Sequence, residues 1–215
     1  MTKPKVLILL AAGINCDKET EFAFNLAGGD AQRVHINDLI AEKKDPSQYH
    51  ILVLPGGFSF GDDIASGKVL ANKLKYRLED QIQKFIEDKK LILGICNGFQ
   101  VMVKLGLLPG FNGDYKTQQA TLTFNDSARF ENRWVYLKLN KNSNCVFTKG
   151  IRGLIYLPVR HGEGKFIPKD EMVLEKLFKD GQIVAQYVDE RGNFGAYPVN
   201  PNGSVDEIAG ICNET

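Results

Sequence analysis

The sequence is poor in features that organise small secreted, metal-bound or membrane proteins. Its four cysteines, Cys16, Cys96, Cys145 and Cys212, lie far apart, so no C-x-x-C pair exists. With only three histidines, no Cys/His group has the spacing of a zinc site, and no metal is expected. A chain of 215 residues has enough core to do without disulfides. Long apolar runs are also missing. Residues 6–10 form a run too short for a signal-peptide core with a cleavage site, and far too short to span a membrane. A cytoplasmic protein with reduced thiols is the expectation. There is no excess of charge of one sign: 27 basic and 26 acidic side chains leave a net charge of +1. That balance gives no electrostatic reason to expect nucleic acid or an acidic membrane as partner. No Gly-x-x-x-x-Gly-Lys run is present, so nothing asks for bound ATP. No internal repeat, low-complexity stretch or linker interrupts the chain, and a single domain over 1–215 is expected.

What is present is a globular composition, 43% apolar and 25% charged. In the first half, short apolar runs alternate with helical spacing. Residues 5–10, 31–35, 49–54 and 90–95 read as strands. Residues 17–26 read as a helix, with Phe22, Ala23 and Leu26 at helical spacing, Asp17 placed to cap it and Gly28-Gly29 ending it. Residues 69–89 read as one long helical stretch with Leu70, Leu74, Leu78, Ile82, Phe85 and Ile86 near one face, and 97–105 as another helix. Strand–helix alternation with doubly apolar strands predicts an α/β fold, a mostly parallel central sheet with helices on both faces. In the second half, 120–124, 133–139, 154–159, 183–187 and 208–212 read as strands joined by turns. Antiparallel additions at one edge of the sheet would accommodate them.

The sharpest local signal is Leu91-Ile92-Leu93-Gly94-Ile95-Cys96-Asn97-Gly98-Phe99-Gln100. A buried strand ends, one residue occupies a tight turn between glycines, and a helix begins. This is a Gly-x-nucleophile-x-Gly elbow with cysteine as the nucleophile. A nucleophile projecting from a strained turn needs small neighbours two residues away, and Gly94 and Gly98 supply them. The helix start offers unsatisfied N–H groups and a positive dipole end, both of which favour a thiolate. The Asn97 N–H is placed to donate to an oxyanion. Cys16, Cys145 and Cys212 carry no such context and read as buried small apolar residues. His35 and His50 carry no motif and read as partly exposed structural residues.

The segment 94–100 resembles the nucleophile motif of the class I glutamine amidotransferases. More narrowly, it is similar to the glutaminase subunits (subunit I) of phosphoribosylformylglycinamidine synthases. Further matches run in order along the chain: Gly13-Ile14-Asn15-Cys16-Asp17, Leu54-Pro55-Gly56-Gly57-Phe58-Ser59-Phe60-Gly61-Asp62, 125–135, His161-Gly162-Glu163-Gly164 and Asn200-Pro201-Asn202-Gly203-Ser204. The resemblance implies a flavodoxin-like fold. It also implies a glutaminase reaction in which the Cys96 thiolate attacks the side-chain amide of L-glutamine. Ammonia leaves, and water resolves the glutamyl thioester. The ammonia would pass to a synthetase large subunit, with a small accessory subunit in the complex. That synthetase would use ATP and Mg to make formylglycinamidine ribonucleotide for purine biosynthesis, and this chain would bind no cofactor. The resemblance places the Gly57 N–H with that of Asn97 in the oxyanion hole. It gives Gly56 and Gln100 contacts to glutamine, and assigns the 160–163 backbone, Gly162 included, to the substrate's α-carboxylate and α-amino groups.

The family's nucleophile works with a His-Pro-Glu motif near the C-terminus, and no His-Pro-Glu occurs in this sequence, which ends Gly210-Ile211-Cys212-Asn213-Glu214-Thr215. The expectation is a chain lacking the family's C-terminal segment. A second expectation gives the base and orienting carboxylate roles to His161 and Glu163, which strand alternation would point to one face. A third is a subunit without catalysis that docks on and organises the synthetase. The isolated chain is expected to be a poor glutaminase, because such subunits are organised by their synthetase.

Overall fold

Residues 6–10 are apolar on both strand faces, and such a strand needs cover on both sides. With Lys5 they form β1 (Lys5–Leu10). Together with β2 (Asp30–His35), β3 (Ile51–Leu54) and β4 (Leu91–Gly94), it makes a parallel sheet of order β2-β1-β3-β4. Val6 to Leu9 are at most 1% exposed, so both faces are covered. On one face, Val6, Ile8, Ala31 and Val53 pack with Phe24 of α1 (Asp17–Leu26). On the other, α5 (Asn97–Leu105) lies directly against Leu54 of β3. The structure is a computed structural model that describes residues 2–214. The chain divides into two compact units, 1–105 and 106–215, and each is described by itself.

Two details of the first unit depart from expectation. Asp17 does not cap α1. Cys16 holds the cap position with no side-chain cap bond, while Asp17 and Glu21 pair with Arg33 of β2 at 3.0 and 2.9 Å. The phase of α1 is set by Phe24 docking on the sheet. Phe22 and Leu26, each two residues away along the helix, are thereby turned outward and are 69% and 77% exposed. The expected helix over 69–89 is two helices, α3 (Lys68–Arg77) and α4 (Glu79–Glu87). They are broken at Leu78, whose φ of −137° and ψ of 16° end the first. The apolar spacing continues through the break because Leu74, Leu78, Ile82 and Phe85 are all buried. A short helix, α2 (Ile36–Ile40), was not legible as a helix.

The second unit is built around β6 (Glu131–Leu139), β7 (Leu154–His161), β9 (Ile183–Val188) and β10 (Ile208–Ile211). They form an antiparallel sheet of order β10-β9-β6-β7, and β5 (Ala120–Thr123) pairs antiparallel with β8 (Lys165–Pro168). The antiparallel strands therefore make sheets of their own and do not extend the edge of the parallel one. Their alternating pattern explains this: Val135, Val159 and Tyr187 form one buried face, which doubly apolar strands do not need. β8 and α6 (Glu171–Lys179) were not anticipated. The helix start is marked by Asp170, whose carboxylate accepts from the Val173 N–H at 2.9 Å. Among the described residues, no helix is long and apolar enough to cross a membrane.

Candidate active site

The turn between β4 and α5 carries Cys96 with φ of 53°, a left-handed conformation that costs a residue with a Cβ and recurs at functional sites. Three backbone bonds hold it: Ile95 N–H to Leu54 O at 3.0 Å, Gly98 N–H to Ile95 O at 2.9 Å, and Gln100 N–H to Cys96 O at 3.1 Å. Both flanking glycines are required by packing. A Cβ at Gly98 would lie 1.8 Å from the Leu54 carbonyl oxygen, and one at Gly94 would lie 2.7 Å from the Gly98 backbone.

The loop after β3 closes on this turn. Phe58 N–H donates to Gly13 O at 2.9 Å, Phe60 N–H to Ala12 O at 2.7 Å and Cys16 N–H to Gly56 O at 3.3 Å. Gly57 sits at φ of 143°, where a Cβ would meet Asn15 N at 2.8 Å. Gly56 abuts Cys96: its Cβ position is 3.4 Å from Cys96 Cβ and 3.6 Å from Cys16 Sγ. The result is a convergence of donors. The backbone N–H groups of Gly57 and Asn97 both act on Cys96 to lower its pKa.

Charge and burial act against the thiolate. Cys96 keeps exposed surface, yet desolvation of its sulfur is the largest influence and raises its pKa above the ordinary 9.0. The Asn97 and Gly57 N–H groups oppose this, whereas the nearby Cys16 thiol and Asp62 carboxylate add to it. The sequence-based expectation of a helix-stabilised thiolate is therefore corrected: the N–H donors are present, but burial outweighs them. Alkylation of Cys96 by iodoacetamide should have its pH midpoint above 9.0. Asp62→Asn should move it down by removing an opposing charge. A midpoint below that of a free cysteine would contradict the balance described.

Asn97 is buried and holds the site together. Its Nδ2 donates to Asp62 Oδ1 and Gln100 Oε1, each at 3.0 Å, and its Oδ1 accepts from the Ser59 N–H at 3.2 Å. Gln100 is likewise buried, not a solvated helix residue, with its amide oxygen turned to Asn97. Cys16, Ser59 and Asp62 are site neighbours that were not singled out as site residues, although all three lie in the loop segments that carry the resemblance. Cys16 is exposed, and Cys145 and Cys212 are half-buried, which corrects the expectation that these three are buried apolar residues.

In the second unit, β7 ends at His161, and Gly162–Gly164 form a turn toward β8. Asn125 clamps that turn. Its N–H donates to Gly162 O at 2.9 Å, its Nδ2 to His161 O at 2.8 Å, and its Oδ1 accepts from Gly164 N–H at 2.9 Å. Gly164 leaves room for the imidazole, since a Cβ there would lie 2.3 Å from His161 Cε1. Strand alternation stops at His161, so it does not govern where Glu163, which is buried, points. Both ring nitrogens of His161 are buried and lack a hydrogen-bond partner among the described residues, so Glu163 is not bonded to the ring. His35 accepts from the Asn37 N–H at 3.2 Å and His50 from the Lys5 N–H at 3.0 Å, both at exposed structural positions.

Burial is the main cause that lowers the His161 pKa below 6.5, with Arg133 adding to it and Glu131 opposing. The unfolded chain then binds this proton first as pH falls, so stability present above pH 6.5 is lost as pH drops through that value toward the folded pKa. A His161→Asn variant should lose stability less steeply below pH 6.5 in denaturant titrations. An unchanged acid slope would show that His161 is not the group responsible.

Comparison with known proteins gives a consistent result. The CobB/CobQ-like glutamine amidotransferase domain family matches residues 3–215. A phosphoribosylformylglycinamidine synthase subunit PurQ of Methanococcus maripaludis is 50% identical over 214 residues, 99% of this chain and 78% of that protein. The subunit PurQ of Dehalococcoides mccartyi is 49% identical, covering 100% of this chain and 82% of its own length. Among solved structures, that of PurLQS from Thermotoga maritima superposes with a TM-score of 0.75 at 29% identity, over 99% of this chain and 83% of that one. A glutamine amidotransferase from Thermotoga maritima, 15% identical with a TM-score of 0.53 over 90% of this chain and 70% of that one, shares the fold. With its cysteine elbow, its glycine loop and these relatives, the chain belongs to the CobB/CobQ-like glutamine amidotransferase family, alongside the phosphoribosylformylglycinamidine synthase subunits PurQ.

Proposed function

We propose that this chain hydrolyses L-glutamine and delivers the ammonia to a synthetase large subunit, with a small accessory subunit in the complex, in the cytoplasm. The synthetase uses ATP and Mg to convert formylglycinamide ribonucleotide to the amidine in purine biosynthesis, and this chain holds no cofactor. The observation that carries the reading is Cys96 held at φ of 53° on its elbow with the Gly56-Gly57 loop against it, the Gly57 and Asn97 N–H groups both acting on the thiol. Donors that meet the sulfur at rest are well placed for the oxygen of a carbonyl that the sulfur attacks.

The Cys96 thiol gives up its proton, and its sulfur bonds to the side-chain amide carbon of glutamine. The carbonyl oxygen becomes an oxyanion held by Gly57 and Asn97. Collapse of the intermediate breaks the C–N bond, the nitrogen takes a proton, and ammonia leaves a glutamyl thioester. Water then adds to the thioester carbon, releasing glutamate and the thiol. Gly56 gives the substrate close access to the backbone, and Gln100 steadies Asn97 through its hydrogen bond. The Gly162 backbone is assigned to the α-carboxylate and α-amino groups of glutamine. A raised Cys96 pKa makes a base necessary. His161, whose pKa burial lowers, is the candidate base within this sequence, and Glu163 the candidate carboxylate although it makes no hydrogen bond to the ring here. Full activity in His161→Gln would assign the base elsewhere.

The test is glutamate release by the full chain with its synthetase present. Release coupled to amidine formation, and weaker from the chain alone, supports the proposal. An intact complex that releases no glutamate would make this chain a docking subunit.

A further inference from the structure

Two cysteines outside the site are brought together by the antiparallel sheet. Cys145 follows β6 and Cys212 follows β10, and these strands flank β9 on either side. Both cysteines fall beside the start of β9, and both segments are tied to it. On the β6 side, Asn140 N–H donates to Val184 O at 2.9 Å and its Nδ2 to Ile183 O at 3.0 Å. There too, Asn144 N–H donates to Gly181 O at 3.1 Å and its Nδ2 to Asp180 O at 2.8 Å. On the β10 side, Cys212 N–H donates to Gln182 O at 2.8 Å, and Gln182 Nε2 returns a bond to Cys212 O at 2.8 Å. Ser143 lies between them: its hydroxyl is 3.7 Å from Cys212 Sγ and accepts from the Cys145 N–H at 3.3 Å. The two thiols act on each other, Cys212 lowering the Cys145 pKa and Cys145 raising that of Cys212, and both are half-buried, so a small oxidant has access.

We propose that Cys145 and Cys212 form a reversible dithiol–disulfide site that takes two-electron oxidants of the hydroperoxide class. The backbone clamps on β9 and the intervening Ser143 hold the two cysteine segments beside each other. The Cys212 thiol donates to Cys145, with Thr148 and the Phe147 N–H also donating, and these bonds lower the Cys145 pKa to about 6. Cys145 is thus the attacking thiolate. Its sulfur bonds to one peroxide oxygen, the O–O bond breaks, and the departing hydroxide takes a proton to become water. The Cys212 sulfur then attacks the Cys145 sulfenic acid. The S–S bond forms, the S–O bond breaks, and the hydroxyl leaves as water with the Cys212 proton. Cys96, held as the thiol by burial, should react more slowly.

Treatment of the full chain with limiting hydrogen peroxide, followed by intact-mass analysis and tryptic mapping without reduction, tests this. The expected product is lighter by two hydrogens and contains peptide 142–149 linked to peptide 192–215. Dithiothreitol should reverse it, and the link should appear before Cys96 in peptide 91–104 is modified. Cys145→Ser and Cys212→Ser should each abolish the link. Linkage of peptide 6–18 to 91–104 in its place would overturn the proposal, as would oxidation of Cys145 to the sulfinic acid with no linked peptide in the wild-type chain.

Discussion

Cys96→Ala is expected to lower glutamate release in the synthetase complex by more than about 10³-fold, because removing a nucleophile takes away nearly all the covalent route. The fold should survive the change. Cys96 retains exposed surface, and alanine keeps the Cβ that already tolerates φ of 53°. Thermal unfolding should therefore shift little, and association with the synthetase should persist. Cys96→Ser gives a sharper version: the shape and the two N–H donors stay, while a hydroxyl replaces the thiol. Serine at this position should also be severely impaired, since a hydroxyl is a far weaker acid and a weaker nucleophile than the thiol it replaces. A Cys96→Ala protein that keeps more than about a tenth of wild-type turnover would remove Cys96 from the nucleophile role, whatever the elbow looks like.

Gly98→Ala should be the most damaging change of a single hydrogen to a methyl group in the first unit. Its Cβ would lie 1.8 Å from the Leu54 carbonyl oxygen, with the Leu54 side chain at 2.9 Å. Neither β3 backbone nor α5 can yield locally, so the helix must move away from the sheet. We expect a loss of about 3 kcal/mol in chemical denaturation, the upper end of the usual range for core overpacking. The same displacement carries the Asn97 N–H off the Cys96 sulfur, so activity should fall even where the variant is folded. Gly28→Ala is the appropriate control. Gly28 has φ of 96°, but nothing lies within 4 Å of its Cβ position, so only the conformational cost of about 1 kcal/mol applies. Equal losses in the two variants would show that the α5–β3 contact is looser than described.

The elbow was legible because its requirements are local. A strand, a turn, two glycines two residues either side of a cysteine and a helix fall within ten positions, and each constrains its neighbours. The parallel sheet was legible for a similar reason: residues 6–10 are apolar on both faces, which dictates cover on both sides before any partner is known. Other features offered no local signal. The break at Leu78 interrupts a helical spacing that the apolar residues themselves continue, so only the backbone reveals it. Phe22 and Leu26 have the spacing of a buried face, yet the docking of Phe24 chose the opposite one.

The sequence by itself thus determined the cysteine elbow, the need for Gly94 and Gly98, and the parallel sheet of the first half. The tertiary structure decided the rest, because the rest depends on burial and long-range pairing. Whether the Cys96 thiol ionises depends on how much water its sulfur loses when the 13–17 and 55–62 loops pack around it, which no spacing encodes. Whether Cys145 and Cys212, 67 positions apart, ever meet depends on β6 and β10 choosing the two sides of β9. Local chemistry fixed which groups are present, and pairing between distant segments fixed which of them act together.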